Sequence, residues 1–148
     1  LSLHDALPIS FNNIPWDESQ VKPKAELYFN RIAEFCRKNG IELTVITTPV
    51  PQKTLDAFAG SYGQSHQYFK NLLEGWGLEY YNFNYMKPEL MDRGMEGYWD
   101  YDGHMDGIKA QEFSTLLGRL LGSLDQGNLK YNEFFSNTYW QIPLSSLY

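Results

Sequence analysis

Residues 23–48, PKAELYFNRIAEFCRKNGIELTVITT, decide the fold. Pro23 stands where a helix tolerates proline, in the first turn, where its absent N–H would be unpaired anyway. Gly40 suits the left-handed position that stops a helix. Between them Ala25, Leu27, Phe29, Ile32, Ala33, Phe35 and Cys36 form a wide apolar face. Arg37 and Lys38 fall in the last turn, where positive charge complements the helix dipole. Directly after comes Ile41–Thr48, rich in β-branched residues and closed by Pro49 and Pro51. Such a run reads as a strand buried on both faces, as in a parallel sheet.

The pattern repeats downstream. Residues 52–59 (QKTLDAFA) suggest a short helix, and Ser65–Glu74 carries a stripe of Tyr68, Phe69, Leu72 and Leu73 that Gly75 and Gly77 end. Leu78–Phe83 (LEYYNF) reads as a second strand. A long loop, Asn84–Gly103, leads to a helix from about Asp106 to Gly122, with Ala110, Phe113, Leu116, Leu117, Leu120 and Leu121 at helical spacing. Asp106 is expected to cap it. Helix and strand alternate, which predicts α/β architecture with a parallel sheet. Two strands are too few to complete a doubly wound sheet, whose faces and edges must be covered.

The flanks differ from this centre. Residues 1–10 (LSLHDALPIS) read as an adapter-derived or disordered tail, and residues 11–22 as a linker anchored by Ile14 and Trp16. Residues 23–122 form the periodic domain, and residues 123–148 an aromatic C-terminal arm with one short helical turn.

Composition excludes several functions. The chain has 148 residues, with 18 acidic against 12 basic side chains and a net charge of −6. Sequence-independent nucleic-acid binding needs clustered cations, so that class is not expected. No apolar run reaches the ~20 residues that span a bilayer. The single Cys36 allows neither an internal disulfide nor a multi-cysteine zinc site, and is expected to be buried.

Chemistry concentrates in residues 99–107, WDYDGHMDG. His104 has Asp100, Asp102 and Asp106 within a few residues. A carboxylate on one ring nitrogen fixes an imidazole's tautomer and stabilises the cation it becomes as a general base. A loop running from a strand into a helix lies at the carboxyl edge of the sheet, where open α/β folds hold ligands. The alternatives are a solvated acidic turn or a mononuclear metal site from Asp100, Asp102 and His104. A calcium loop is excluded, because Met105 stands where the turn glycine belongs and Gln111 where the last ligand belongs. His66, in the first turn of its helix, is expected at the surface.

From about Tyr28 to Leu121 the chain resembles the C-terminal part of an SGNH (GDSL-type) hydrolase. It is most similar to bacterial cell-surface members related to the D-alanyl-transfer and alginate acetylation proteins. CRKNGIELTVITTPVP (36–51), WGLEYYNFN (76–84) and DGHMDGIKAQEFSTLL (102–117) carry the resemblance, and LKYNEFFSNTYW (129–140) is similar to a segment after the domain in some members. Three departures stand out, one of them Asp106 two residues after the histidine, where asparagine is commoner in the family. The family's acid lies three residues before its histidine, where this chain has Tyr101. The serine and oxyanion blocks lie upstream in the family and have no match here; the only Gly-Ser pairs, Gly60-Ser61 and Gly122-Ser123, follow no predicted strand.

The resemblance implies a flavodoxin-like parallel sheet sandwiched by helices, of which this chain holds the C-terminal portion. It implies a serine esterase, O-acyl hydrolase or transferase whose base is His104, oriented by Asp102 first and Asp100 in reserve. Thr48 and Trp99 would line the substrate cleft. The substrate would be an acyl ester, such as one on a cell-surface glycan, in an extracytoplasmic bacterial setting. No cofactor and no metal is implied. The nucleophile would come from the N-terminal half of the domain, so that this chain alone would be inactive. The competing reading is a non-catalytic glycan- or protein-binding module with an aromatic surface.

Overall fold

The computed structural model describes residues 15–136. Helix α1 spans Pro23–Lys38 and strand β1 Val45–Thr47; helices α2 (Gln52–Ala57) and α3 (Ala59–Gly75) follow. Strand β2 is Tyr80–Asn82, helix α4 Gly107–Asp125 and the short helix α5 Tyr131–Phe134. The protein is helix-rich with a small parallel sheet: Val45 pairs with Tyr80, Ile46 with Tyr81 and Thr47 with Asn82.

Both strands are shorter than their apolar runs. Ile41 and Glu42 are exposed and Leu43 and Thr44 only half-buried, so nothing packs closely enough to extend β1 to Ile41. The second central helix is longer than its stripe predicts. It begins at Ala59, so that Gly60, Ser61 and Gly63 fall within its first turns. Helix α4 runs three residues past Gly122, to Asp125.

Side chains alternate across the sheet. Tyr81 faces a core with Phe83, Met86, Met91, Phe113, Leu116, Leu120, Phe134 and Phe135. Phe83, fully buried, meets Phe113 edge-on at 5.0 Å between ring centroids. The aromatic arm thus contributes Phe134 and Phe135 to the core through α5; its residues 137–148 lie outside the described part, as do residues 1–14. Tyr80 and Asn82 point the other way, to α3. There His66 stacks on Tyr80 at 5.5 Å, and its Nδ1 lies 3.4 Å from the Asn82 amide nitrogen. His66 is 4% exposed, which corrects the surface expectation. Its position in the helix is the reason: the helix starts six residues earlier than predicted, which puts His66 well inside it, on the stripe that lies on the sheet.

Helix α1 lies beside α3. Phe29 meets Trp76 edge-on at 5.6 Å, Arg37 Nη2 donates to the Trp76 carbonyl at 2.8 Å, and Tyr68 donates to the Glu26 carboxylate. Cys36 is buried on this inner face, as expected. In the linker, Trp16 rests on Tyr68 and Phe69.

The segments leaving the carboxyl ends of the two strands are clasped together. Val50 N–H donates to Asn84 Oδ1 at 2.9 Å, and Arg93 Nη1 to the Asn84 carbonyl at 2.7 Å. Gln52 N–H donates to the Arg93 carbonyl at 2.9 Å, while the Arg93 guanidinium donates to Gln52 Oε1. The predicted long loop is therefore not structureless. Gln52 N–H holds it at the Arg93 carbonyl, the Phe134 carbonyl holds it at Lys87 N–H, and further bonds close within the loop, which fixes where it can carry side chains.

Candidate active site

The end of that loop is a tight hairpin. Tyr98 and Met105 form an antiparallel bridge, Trp99 N–H donates to the His104 carbonyl at 2.7 Å, and Asp106 N–H to the Gly97 carbonyl at 2.8 Å. Two glycines permit it. Gly97 (φ 91°) faces the buried Lys109, and a Cβ there would come within 2.8 Å of Lys109 Cε. Gly103 (φ 97°) passes 3.3 Å from the Pro49 carbonyl at the Cβ position, so the hairpin tip rests on the turn that follows β1. Thr54 Oγ1 donates to the Tyr101 carbonyl at 2.8 Å and holds the other side of the tip. These contacts place the hairpin at the carboxyl edge of the parallel sheet, as sequence reasoning anticipates.

Asp100 organises the tip. Its Oδ1 accepts from Asp102 N–H at 2.9 Å and from His104 N–H at 3.2 Å. Its Oδ2 lies 2.5 Å from His104 Nδ1. Asp100, the reserve choice, is therefore the carboxylate beside the imidazole, and Asp102, the first choice, is not. The reason is local. A turn in which Asp100 accepts two backbone N–H groups folds its side chain back over the tip. Asp102 supplies one of those N–H groups, and its exposed side chain acts on His104 through its charge rather than through a hydrogen bond.

The pair is electrostatically biased. Hydrogen bonding to Asp100, reinforced by that carboxylate's charge, holds the His104 pKa above its usual 6.5. For Asp100, partial burial acts upward, but the hydrogen bonds from the His104 ring, His104 N–H and Asp102 N–H outweigh it and lower its pKa. The His104 side chain is 74% exposed, and its second nitrogen, Nε2, has no partner among the described residues. Nε2 is thus open to a ligand. Among the described residues no serine, threonine or cysteine side chain bonds His104.

The remaining predicted positions flank this pair. Trp99 is 60% exposed, next to Asp100 in the same hairpin. Thr48 is exposed just beyond β1, on the segment whose Pro49 and Val50 support Gly103. Asp106 caps α4 as expected, accepting from Lys109 N–H at 2.8 Å. Among the described residues no three His, Cys, Asp or Glu side chains converge so that they could hold an ion. No described helix is long and apolar enough to cross a membrane.

Sequence reasoning missed Arg93 and Lys109. Both are buried cations, and Lys109 Nζ pairs with Glu112 at 2.8 Å and donates to the Asp92 carbonyl at 3.0 Å. They stiffen the loop that carries Asp100 and His104. In the sequence Lys109 looks like an ordinary solvated lysine of an amphipathic helix, and only the fold of the preceding loop buries it.

Comparison with known proteins found no matching family model, no similar curated protein and no similar solved structure.

Proposed function

We propose that His104 and Asp100 are the general-base pair of a serine-dependent esterase or O-acyl transferase. The observation that carries this reading is the 2.5 Å contact between His104 Nδ1 and Asp100 Oδ2, with Nε2 open to solvent at the carboxyl edge of the sheet. A general base needs one nitrogen oriented and the other free to take a proton. In the proposed reaction Nε2 removes the proton of a serine hydroxyl as its oxygen attacks an acyl ester carbonyl. The imidazolium then returns a proton to the departing alkoxide. Asp100 holds the tautomer and stabilises the cation. Trp99 offers an apolar wall to the ester, and Thr48 borders the opening. The serine belongs to polypeptide outside the described residues, within a flavodoxin-like sheet of which this chain forms one end.

The test is chemical. With p-nitrophenyl acetate, residues 1–148 should give no turnover beyond that of free imidazole. The chain extended by its upstream coding sequence should turn over and react with a fluorophosphonate, and His104→Ala should abolish both. An extended chain that is inert to both reagents would end the hydrolase reading. The second reading, a binding module, draws on the exposure of Trp99 and of Ile108 in the first turn of α4. Under it, ligand binding would survive His104→Ala and fail with Trp99→Ala.

A further inference from the structure

Three peptide bonds in this chain join an asparagine or aspartate to a glycine: Asn39-Gly40, Asp102-Gly103 and Asp106-Gly107. Such bonds rearrange without an enzyme. The glycine nitrogen attacks the side-chain carbonyl carbon and closes a succinimide, expelling ammonia from Asn or water from the protonated form of Asp. Water then opens the ring. Opening at the former main-chain carbonyl breaks its bond to the glycine nitrogen and leaves isoaspartate, whose backbone runs through the side-chain carbons. Glycine favours the attack because no Cβ restricts its approach. By sequence alone Asn39-Gly40 ranks first, since at neutral pH an amide carbonyl is a better electrophile than a carboxylate.

The structure reverses that order. At Asn39 both reacting groups are tied. Its Nδ2 donates to the Phe35 carbonyl at 2.8 Å, and Gly40 N–H donates to the Arg37 carbonyl at 3.4 Å in the turn that ends α1. At Asp106 the carboxylate is tied, because its Oδ1 accepts from Lys109 N–H at 2.8 Å as the cap of α4. At Asp102 neither group is tied. Among the described residues nothing donates to its carboxylate, and Gly103 N–H donates to no acceptor. Asp102 is exposed at the hairpin tip, where water and protons reach it.

We infer that Asp102-Gly103 is the site at which the folded protein converts to isoaspartate, and that the conversion separates His104 from Asp100. Asp100 Oδ1 accepts at once from Asp102 N–H at 2.9 Å and from His104 N–H at 3.2 Å. Isoaspartate inserts an extra backbone atom between those two amides, so one oxygen no longer serves both. The longer tip has no room to settle toward β1, because the Cβ position of Gly103 already lies 3.3 Å from the Pro49 carbonyl. The imidazole is therefore carried away from Asp100 Oδ2, which it meets at 2.5 Å in the unmodified chain. Composition and charge are unchanged, so the loss is one of geometry. The inference rests on the hairpin alone and stands whether or not His104 acts as a base.

Incubation of residues 1–148 in neutral buffer, with and without denaturant, tests it. Helical circular dichroism reports that the first sample stays folded. Electron-transfer fragmentation of its peptides locates isoaspartate, and methylation by an isoaspartate-specific methyltransferase measures it. In denaturant Asn39 should convert first. In the folded chain Asp102 should convert first, with Asn39 and Asp106 intact. As it does, a second His104 resonance should grow, with its titration midpoint moved toward 6.5. Asp102→Glu, which would need a larger ring, should abolish the conversion and keep a single His104 resonance. Conversion at Asn39 or Asp106 ahead of Asp102 in the folded chain, or none at Asp102, would overturn the site. Conversion at Asp102 with the His104 midpoint unmoved would overturn its effect on the pair.

Discussion

His104 and His66 show how far environment separates two side chains of one type. His104 is solvated and bonded to a carboxylate, so its charged form is favoured. In an NMR titration of residues 1–148, its midpoint should lie above 6.5, Asp100→Asn should bring it back toward 6.5, and Asp102→Asn should change it far less. The pair's contribution to stability follows from both shifts. His104 stabilises fully below 6.5 and loses that contribution as pH rises through its raised pKa. Asp100 contributes above its usual 3.8 and loses that as pH falls through its lowered pKa. His66 behaves oppositely. Burial, helped by the Lys70 charge, pushes it down to about 4, so the folded protein resists protonating it. Its contribution is intact above 6.5 and declines as pH falls from 6.5 toward 4. The difference in unfolding free energy between pH 7 and pH 4 should therefore exceed that of His66→Gln by on the order of 2 kcal/mol. Equal acid sensitivity in the two proteins would mean that His66 is solvated.

Among the elements, helices were legible in the sequence and strands only in place. Pro23, Gly40 and an apolar period fixed α1, because punctuation and amphipathicity act locally. The ends of β1 and β2 depend on which neighbours pair with them, and no local signal reports that. The same distinction holds at the site. His104 stood out because three carboxylates surround it in sequence, yet the choice between Asp100 and Asp102 turned on backbone hydrogen bonds to Asp100 Oδ1, which adjacency does not reveal. The hairpin also depends on Gly103. An alanine there would hold φ near 97° and crowd Val50 Cγ1 at 3.2 Å and the Pro49 carbonyl at 3.3 Å. Gly103→Ala should cost about 1–3 kcal/mol of stability and displace the His104 resonances. A neutral substitution would show that the hairpin tip does not rest on the segment after β1.

Among the described residues, the outer stripe of α1 is exposed and one edge of β1 has no strand beside it, while the opposite side of the sheet has a closed aromatic core. Residues 11–148 should therefore unfold without a sharp cooperative transition above ~60 °C, in the upper range of mesophilic domains. A sharp transition above that temperature would show that the two-stranded sheet is sufficient by itself. Function should follow the same division, with the base on this module and the nucleophile outside it. The most direct test is the pH dependence of kcat/KM for acyl-ester hydrolysis by the upstream-extended chain. A base that must be neutral to accept a proton predicts a rate that falls as pH drops through a midpoint above 6.5. Asp100→Asn should lower that midpoint and cut the rate by about 100-fold or more, His104→Ala should abolish turnover, and Asp102→Asn should leave it within a few-fold. Hydrolysis that persists in His104→Ala with an unchanged pH profile would contradict the assignment of His104 and Asp100 as the base pair.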